Sequence, residues 1–418
     1  MAGNRQLSLL LVLATLGAAL ILYRLASIGE RHAKPVPSSR RRPGNSSPIH
    51  DAPVWRKRIV AVGDLHGDLS NARTVLRMAN IIDGNDRWIA GNATLVQTGD
   101  IVDRGTGMNK ERFERGHQPI WASLRSCVTD TIALYRLFQR LRDEARADGG
   151  DLYSILGNHE MMNALGDWRY VTQPDIETFG SLNNRQDALS EEGWIGQEWL
   201  ANYTVTARVP LTPYDSPYHH LAFSHGSLRP DLDLLTPFPS NPNAIGHSLL
   251  AKAIHKPMPK PYPPYPYPGV PKDATQDELT IYGENGVMWW RGLATEDNEA
   301  KVCEWAKTLQ NRLGVRRIIG GHTPNFEEIV SRCNGEVIII DTGISKAYGG
   351  VLSALEIVYS LYEVEASSSR DAGDSAQELM ISTEAQPRLQ FNEVEEVTAM
   401  YRSDKRVLLD RRSGIVTF

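Results

Sequence analysis

The stretch that most constrains this chain is Leu95-Val96-Gln97-Thr98-Gly99-Asp100-Ile101-Val102-Asp103-Arg104-Gly105. Its apolar run reads as a buried strand, and the glycines allow a tight turn at its end. Asp100 then stands at the carboxyl end of a strand, where open α/β sheets hold ligands, although Gly-Asp is also ordinary turn chemistry. The pattern recurs. Arg58–Val62 runs into Gly63-Asp64-Leu65-His66-Gly67-Asp68, and Leu152–Leu156 into Gly157-Asn158-His159-Glu160. Leu221–Ser224 runs into His225-Gly226, and Arg317–Gly320 into Gly321-His322-Thr323. One such end is a turn. Five converging sets are a site, because buried imidazoles and carboxylates need partners and a metal supplies them.

The chain has 418 residues, is 41% apolar and carries a net charge of −5. That suffices for a large core and excludes a global basic surface for nucleic acid. Cys127, Cys303 and Cys333 are few, odd in number and unclustered, so the expectation is buried or free thiols rather than a disulfide framework. Leu7–Tyr23 is apolar apart from Ser8 and Thr15. At about 17 residues it meets the lower limit for a spanning helix. Signal anchor, cleaved signal peptide and mitochondrial anchor compete, and an uncleaved single-pass anchor in a secretory-pathway membrane is the favoured reading. Arg24, Arg31, Lys34 and Arg40-Arg41-Arg42 would place the body in the cytosol by the positive-inside rule. The sequons at Asn45, Asn92 and Asn202 argue for the lumenal side, so topology stays open.

Four parts follow: an anchor over 1–29, a basic Pro/Ser linker over 30–54, a catalytic body over 55–362, and a polar, partly disordered tail over 363–418. Within the body, Leu69, Ala72, Val75, Leu76 and Ala79 recur at helical spacing. Residues 106–129 show no clear periodicity and read as an insertion. A helix over Thr131–Arg146 follows, with Asp130 as its cap. Trp168–Ala207 is aromatic-rich and predicts helices over one side of the site. The Pro/Tyr-rich run 256–271 predicts a surface loop, structural rather than a signalling ligand. Ala300–Leu313 predicts a helix stopped by Gly314, and Val337–Ile340 and Leu355–Val358 predict late strands.

The donor set has carboxylate, imidazole and amide oxygen but no cysteine, which suits two hard or borderline divalent ions such as Mn, Fe or Zn. Asp64 and His66 can reach one ion, Asp100 can bridge both, and Asn158, His225 and His322 complete the second. Two ions about 3.5–4 Å apart would hold a bridging water, lower its pKa and aim hydroxide at phosphorus. Arg104 and Arg291 can clamp phosphoryl oxygens, with a surface salt bridge as the alternative for Arg291. His159 can protonate the leaving oxygen, with Asp103 fixing its tautomer; a purely structural His-Asp pair is the alternative.

The assembled string is Gly-Asp-x-His-Gly, Gly-Asp-x-x-Asp-Arg-Gly and Gly-Asn-His-Glu, roughly 35 and 55 residues apart, then two isolated histidines. It resembles the calcineurin-like metallophosphoesterases and, within them, the phosphoprotein-phosphatase group. Gly157–Asn163, Gly166–Val171, Gly321–Pro324 and Asp341-Thr342-Gly343 look closest to the Shewanella-like phosphatases. The resemblance covers roughly Arg58–Tyr362. It implies an α/β fold, a two-sheet β-sandwich flanked by helices with metals at strand ends. It carries metal binding onto Asp64, His66, Asp100, Asn158, His225 and His322. Proton donation falls on His159 with Asp103, and substrate binding on Arg104, Arg291 and Asn158. Three departures stand out: His225-Gly226-Ser227 replaces the usual His-Gly-Gly, the Ser-Ala-Pro-Asn-Tyr block of the Ser/Thr phosphatases is missing, and the insertion over 106–129 follows the Arg104 clamp immediately.

The expected function is phosphate monoester hydrolysis on a phosphoprotein, with phosphotyrosine preferred because Trp168–Trp199 and Trp289-Trp290 could wall the site with rings. A polyphosphatase or nucleotide phosphoesterase on the same metals is the alternative. A non-catalytic membrane scaffold is disfavoured by the complete ligand set.

Overall fold

The computed structural model describes residues 52–105, 130–214, 216–364 and 389–418. The expected anchor, the linker up to residue 51 and the insertion over 106–129 lie outside these residues. Among the described residues no helix is long and apolar enough to cross a membrane. They form one compact unit, Ala52–Phe418.

In chain order the first half holds β1 (Trp55–Val62), α1 (Leu69–Met78), β2 (Thr94–Gln97), α2 (Thr131–Ala147), β3 (Asp151–Ile155) and α3 (Asn158–Ala164). Three helices follow, α4 (Gln173–Thr178), α5 (Leu182–Leu189) and α6 (Trp194–Asn202), then β4 (Tyr203–Thr204), β5 (Thr206–Pro210) and β6 (His220–Ser224). The second half adds α7 (Ser240–Ile254), α8 (Gln276–Tyr282), α9 (Gly292–Thr295), α10 (Glu299–Leu313), β7 (Arg317–Gly320), β8 (Val330–Arg332), β9 (Val337–Ile339), β10 (Ser353–Glu363), β11 (Gln390–Tyr401) and β12 (Arg406–Thr417). One sheet has seven strands in the order β12-β11-β10-β1-β2-β3-β4, and the other five in the order β5-β6-β7-β9-β8.

Strand alternation divides the core. Ile59, Ala61, Val96, Phe223, Ile319 and Ile338 fill the layer between the sheets. Their neighbours Val60, Val62, Leu95, Ala222, Ile318 and Val337 face the helical layers. Successive side chains leave a strand on opposite faces, so strands covered on both sides read as continuous apolar runs. Strands β1 to β4 run parallel, as do β6, β7 and β9, so their carboxyl ends gather at matching edges.

The expected elements return with small shifts: α2 runs to Ala147, and α10 stops where Gly314 turns left-handed at φ 63°. The Pro/Tyr-rich run is a structural excursion. Tyr262 exchanges backbone bonds with Gly166 and Trp168 at 2.8 and 2.7 Å, so a proline-rich segment pairs briefly beside α3.

Two expectations fail. The tail contains β11 and β12, which extend the seven-stranded sheet through β10. The open side of the edge strand β12 mixes Arg406 and Arg411 with exposed Val407, Leu408 and Ile415, so no clean alternation marked it as a strand in the sequence. Cys303 and Cys333 are not free thiols but a disulfide, with Cα atoms 5.3 Å apart. They are 30 residues apart in sequence; Cys303 lies on α10 and Cys333 in the turn after β8.

Candidate active site

The five strand ends meet across both sheets. Asp64 and His66 follow β1, Asp100 follows β2, Asn158 opens α3 after β3, His225 follows β6 and His322 follows β7. All six are at most 4% exposed.

Backbone geometry fixes them. His66, Asp100, Asp103, Arg104 and His322 all adopt left-handed φ between 43° and 69°. Each such residue without a glycine's freedom costs about 1–3 kcal/mol and persists only where its surroundings over-determine it. They do so here. The Glu160 carboxylate accepts the amides of Asp100, Ile101 and Gly157 at 2.8 Å and that of Val102 at 3.4 Å. The amides of Leu65 and His66 donate to the Asp100 carbonyl at 3.0 and 2.9 Å, lacing the first loop to the second. Gly157 is obligatory: a Cβ there would stand 2.1 Å from Asp100 Oδ1.

Asp100 is the centre. Its Oδ1 accepts the His159 amide at 3.0 Å. Its Oδ2 lies 3.3, 3.7 and 3.8 Å from the Nε2 atoms of His225, His66 and His159. Burial would raise its pKa, but His225, His159 and His66 outweigh burial and hold it well below the usual carboxylate range.

Backbone carbonyls set the histidine tautomers, since a carbonyl can only accept. Nδ1 of His66 donates to Val102 O at 3.0 Å, and Nδ1 of His225 to Thr98 O at 2.8 Å. Nε2 of His322 donates to Trp289 O at 3.1 Å. In neutral rings this leaves lone pairs on His225 Nε2 and His322 Nδ1, which face each other at 3.0 Å, with Asn158 Oδ1 2.8 Å from the former. Positive charge is what that point requires. His225 is pushed up, because Asp100 and the Thr98 carbonyl outweigh its burial; burial and the neighbouring cations push His66 and His322 down. Imidazole, carboxylate and amide oxygen converging on one buried point fit a divalent cation. Ligating atoms of Asp100, His225 and His322 lie within 4.8 Å of one another, as do those of His66, Asp100 and His159.

Asp64 shares the pocket but groups differently. Its Oδ1 lies 3.3 Å from the His322 amide and 4.0 Å from His225. Burial and the adjacent Asp341 push its carboxyl well up, and burial brings Asp341 to about 6. Like charges side by side favour the protonated form of one of the two, which the hydrogen bond between them accommodates. His159 Nδ1 lies 2.7 Å from Asp103 Oδ2. Arg104 is stacked between Tyr170 and Tyr348, its guanidinium carbon 4.4 and 5.0 Å from the ring centroids. Arg291 is half-buried; its Nη1 bonds to the His322 carbonyl and, at 3.2 Å, to Thr323 Oγ1.

The aromatic wall is the expected one in part: Tyr170 and Trp289 come from the two expected segments, and Tyr348 does not. Trp168 and Trp199 are buried in the core, and Trp290 packs on Trp305. The rings beside the site are Tyr170, 5.0 Å from His159, Tyr348, 5.1 Å from His66, and Trp289, 5.7 Å from His322. Sequence reasoning missed Glu160, Asn163, Tyr170, Tyr348 and Asp341. Glu160 and Asn163, Tyr170, and Asp341 stood inside the motifs that carry the resemblance but were given no role; Glu160 left a further signal as the third residue of a helix that opens on Gly157, and Tyr348 left none.

Residues 57–326 match the calcineurin-like phosphoesterase family. An uncharacterised protein of Schizosaccharomyces pombe is 36% identical over 72% of this chain and 76% of its own. Shewanella-like protein phosphatase 2 of Arabidopsis thaliana is 28% identical over 72% of this chain and 75% of its own. Among solved structures, the cold-active protein-tyrosine phosphatase of a psychrophilic Shewanella species superposes with a TM-score of 0.54 at 20% identity, over 85% of this chain and 80% of its own.

Proposed function

The chain belongs to the calcineurin-like phosphoesterases and is a metal-dependent phosphatase; on that premise, we propose that it is a dimetal phosphoprotein phosphatase that prefers phosphotyrosine. The observation that carries the reading is Asp100 Oδ2 set among three imidazoles, with the His159–Asp103 pair and Arg104 beside it.

Asp64, His66 and Asp100 would hold one divalent ion, and Asp100, Asn158, His225 and His322 the other. Such ions supply a nucleophile at neutral pH and neutralise phosphoryl charge. The chain's own residues do the rest. Arg104 and Arg291 bind and orient the phosphoryl oxygens. His159, its Nδ1 proton held by Asp103, presents Nε2 to the leaving oxygen and donates the proton there. Tyr170 and Tyr348 flank Arg104, and a phenyl ring entering beside them would find aromatic surface. The names of the curated relatives support a phosphoprotein substrate, and the absence of the Ser/Thr-type C-terminal block with the name of the Shewanella structural neighbour supports the phosphotyrosine preference.

The test is kcat/KM on matched phosphopeptides, measured on purified protein reloaded with Mn²⁺ after metal removal. Phosphotyrosine should lead phosphoserine and phosphothreonine by at least about tenfold, or roughly 1.4 kcal/mol of transition-state binding. Equal values, or faster cleavage of polyphosphate, reject the preference.

We also place the body in an oxidising compartment, membrane-tethered through residues 7–23. The Cys303–Cys333 bridge and the exposed Asn92 of an Asn-Ala-Thr sequon support this, against the flanking charges. Protease protection on microsomes, with a deglycosylation shift, decides the side.

A further inference from the structure

The His159–Asp103 pair does not end at Asp103. Asn163, one turn after His159 on α3, donates its Nδ2 to Asp103 Oδ1 and Oδ2 at 2.9 and 3.0 Å and to the His159 carbonyl at 2.8 Å. Its Oδ1 accepts Arg185 Nη1 at 2.7 Å. Arg185, on α5, gives its Nε to Asp175 Oδ2 of α4 at 2.8 Å and sets Nη2 3.7 Å from Asp103 Oδ1. Both Arg185 and Asp175 are fully buried, and the guanidinium lies 4.4 Å over the Trp168 ring.

A buried ion pair is weak evidence for stability, because desolvation offsets its attraction. This one has a directional consequence. An amide has one acceptor end and one donor end. With Arg185 on its oxygen, Asn163 cannot flip, since the flip would set its NH₂ against a guanidinium and its oxygen against a carboxylate. The locked amide fixes the Asp103 rotamer, and Asp103 fixes the His159 tautomer. Arg185 also stands between two carboxylates, those of Asp175 and Asp103, and so lies beside the group that orients His159.

We infer that Arg185, held by Asp175 and acting through Asn163, is a positioning residue for the proton donor. Helices α4 and α5 thus reach the reacting atoms through four side chains without lining the site. The inference rests on the reading of His159 as the proton donor, and the test separates the two.

Arg185→Met and Asp175→Asn are made in the wild-type and His159→Asn backgrounds. Turnover is measured on alkyl, phenyl and nitrophenyl phosphates, with bound metal quantified in each variant. His159→Asn tests the premise alone: its loss should shrink toward the nitrophenyl ester, and an equal loss on all three esters overturns the proton-donor role. Arg185→Met should then lower kcat on the alkyl ester about 10–100-fold, less than loss of the donor itself. KM and metal content should stay near wild type, and the loss should shrink toward nitrophenyl phosphate. In the His159→Asn background the same substitution should cost nothing further, because residues acting as one unit are non-additive. Multiplicative losses, or an Arg185→Met loss equal across leaving groups while that of His159→Asn is graded, overturn the inference. If Arg185→Met does not fold, Asp175→Asn, nearly isosteric, carries the test. It should show a smaller loss with the same dependence on the leaving group and on His159.

Discussion

At the scale of single residues, the site is one carboxylate with its surroundings arranged to keep it charged. Asp100→Asn replaces an oxygen set among three imidazoles with a neutral amide. It should abolish turnover and lower the bound metal, read by elemental analysis beside kcat; two full-occupancy metals with wild-type rate would sink the central role of Asp100. Glu160 acts differently. It touches no substrate, but four buried amides end on its carboxylate. Glu160→Ala strands them, at about 1–3 kcal/mol for each buried donor that water does not reach, so the expected readout is a fall in melting temperature of the metal-free protein. The ligands were legible in the sequence because each follows a short apolar run directly and needs only its own strand to be placed. The roles of Tyr170 and Asp341 were not, although both stand in motifs shared with the family, and Tyr348 carries no local pattern, because all three reach the site by packing of segments distant in sequence.

At the scale of elements, β11 ties the sheets together. Glu395 is fully buried and accepts Arg317 Nε at 2.9 Å and Arg316 Nη1 at 3.1 Å, and Glu393 accepts Arg316 Nη2 at 2.7 Å. A chain cut at 364 would leave two buried guanidiniums without these carboxylates, and breaking one buried pair costs about 3–5 kcal/mol. Such a truncation should be insoluble or melt far below the full chain, although it keeps every candidate catalytic residue. Glu393 gives the pH signature. Burial opposes its charge, but His219, Arg316 and Tyr359 outweigh burial and pull it from 4.5 down to about 2. A carboxylate depressed on folding contributes stability that is present above its unfolded value and lost as pH falls through the folded one. Denaturant midpoints of wild type and Glu393→Gln should therefore differ most above pH 4.5 and converge toward pH 2. A gap that is constant with pH removes the electrostatic account. The strands went unread because the glutamates that pair with Arg316 and Arg317 look, in sequence, like solvated charge.

At the scale of the whole molecule, two cross-connections hold distant parts together. The Cys303–Cys333 bridge joins α10 to the turn between β8 and β9. Peptide mapping without reductant should recover it, and Cys303→Ser should cost about 2–4 kcal/mol by thermal melting. Deleting residues 1–53 should leave a soluble, active enzyme, since every candidate ligand lies beyond them. The second connection is the site itself. Four of its six donors end strands of the seven-stranded sheet, and His225 and His322 end strands of the five-stranded one. A cation gripped by both sets is a rivet through the seam between two layers. The catalyst's metal would then also be a cohesion reporter: each tenfold excess of free ion over its dissociation constant adds about 1.4 kcal/mol to the folded state, and chelation lets the layers part before either sheet unravels.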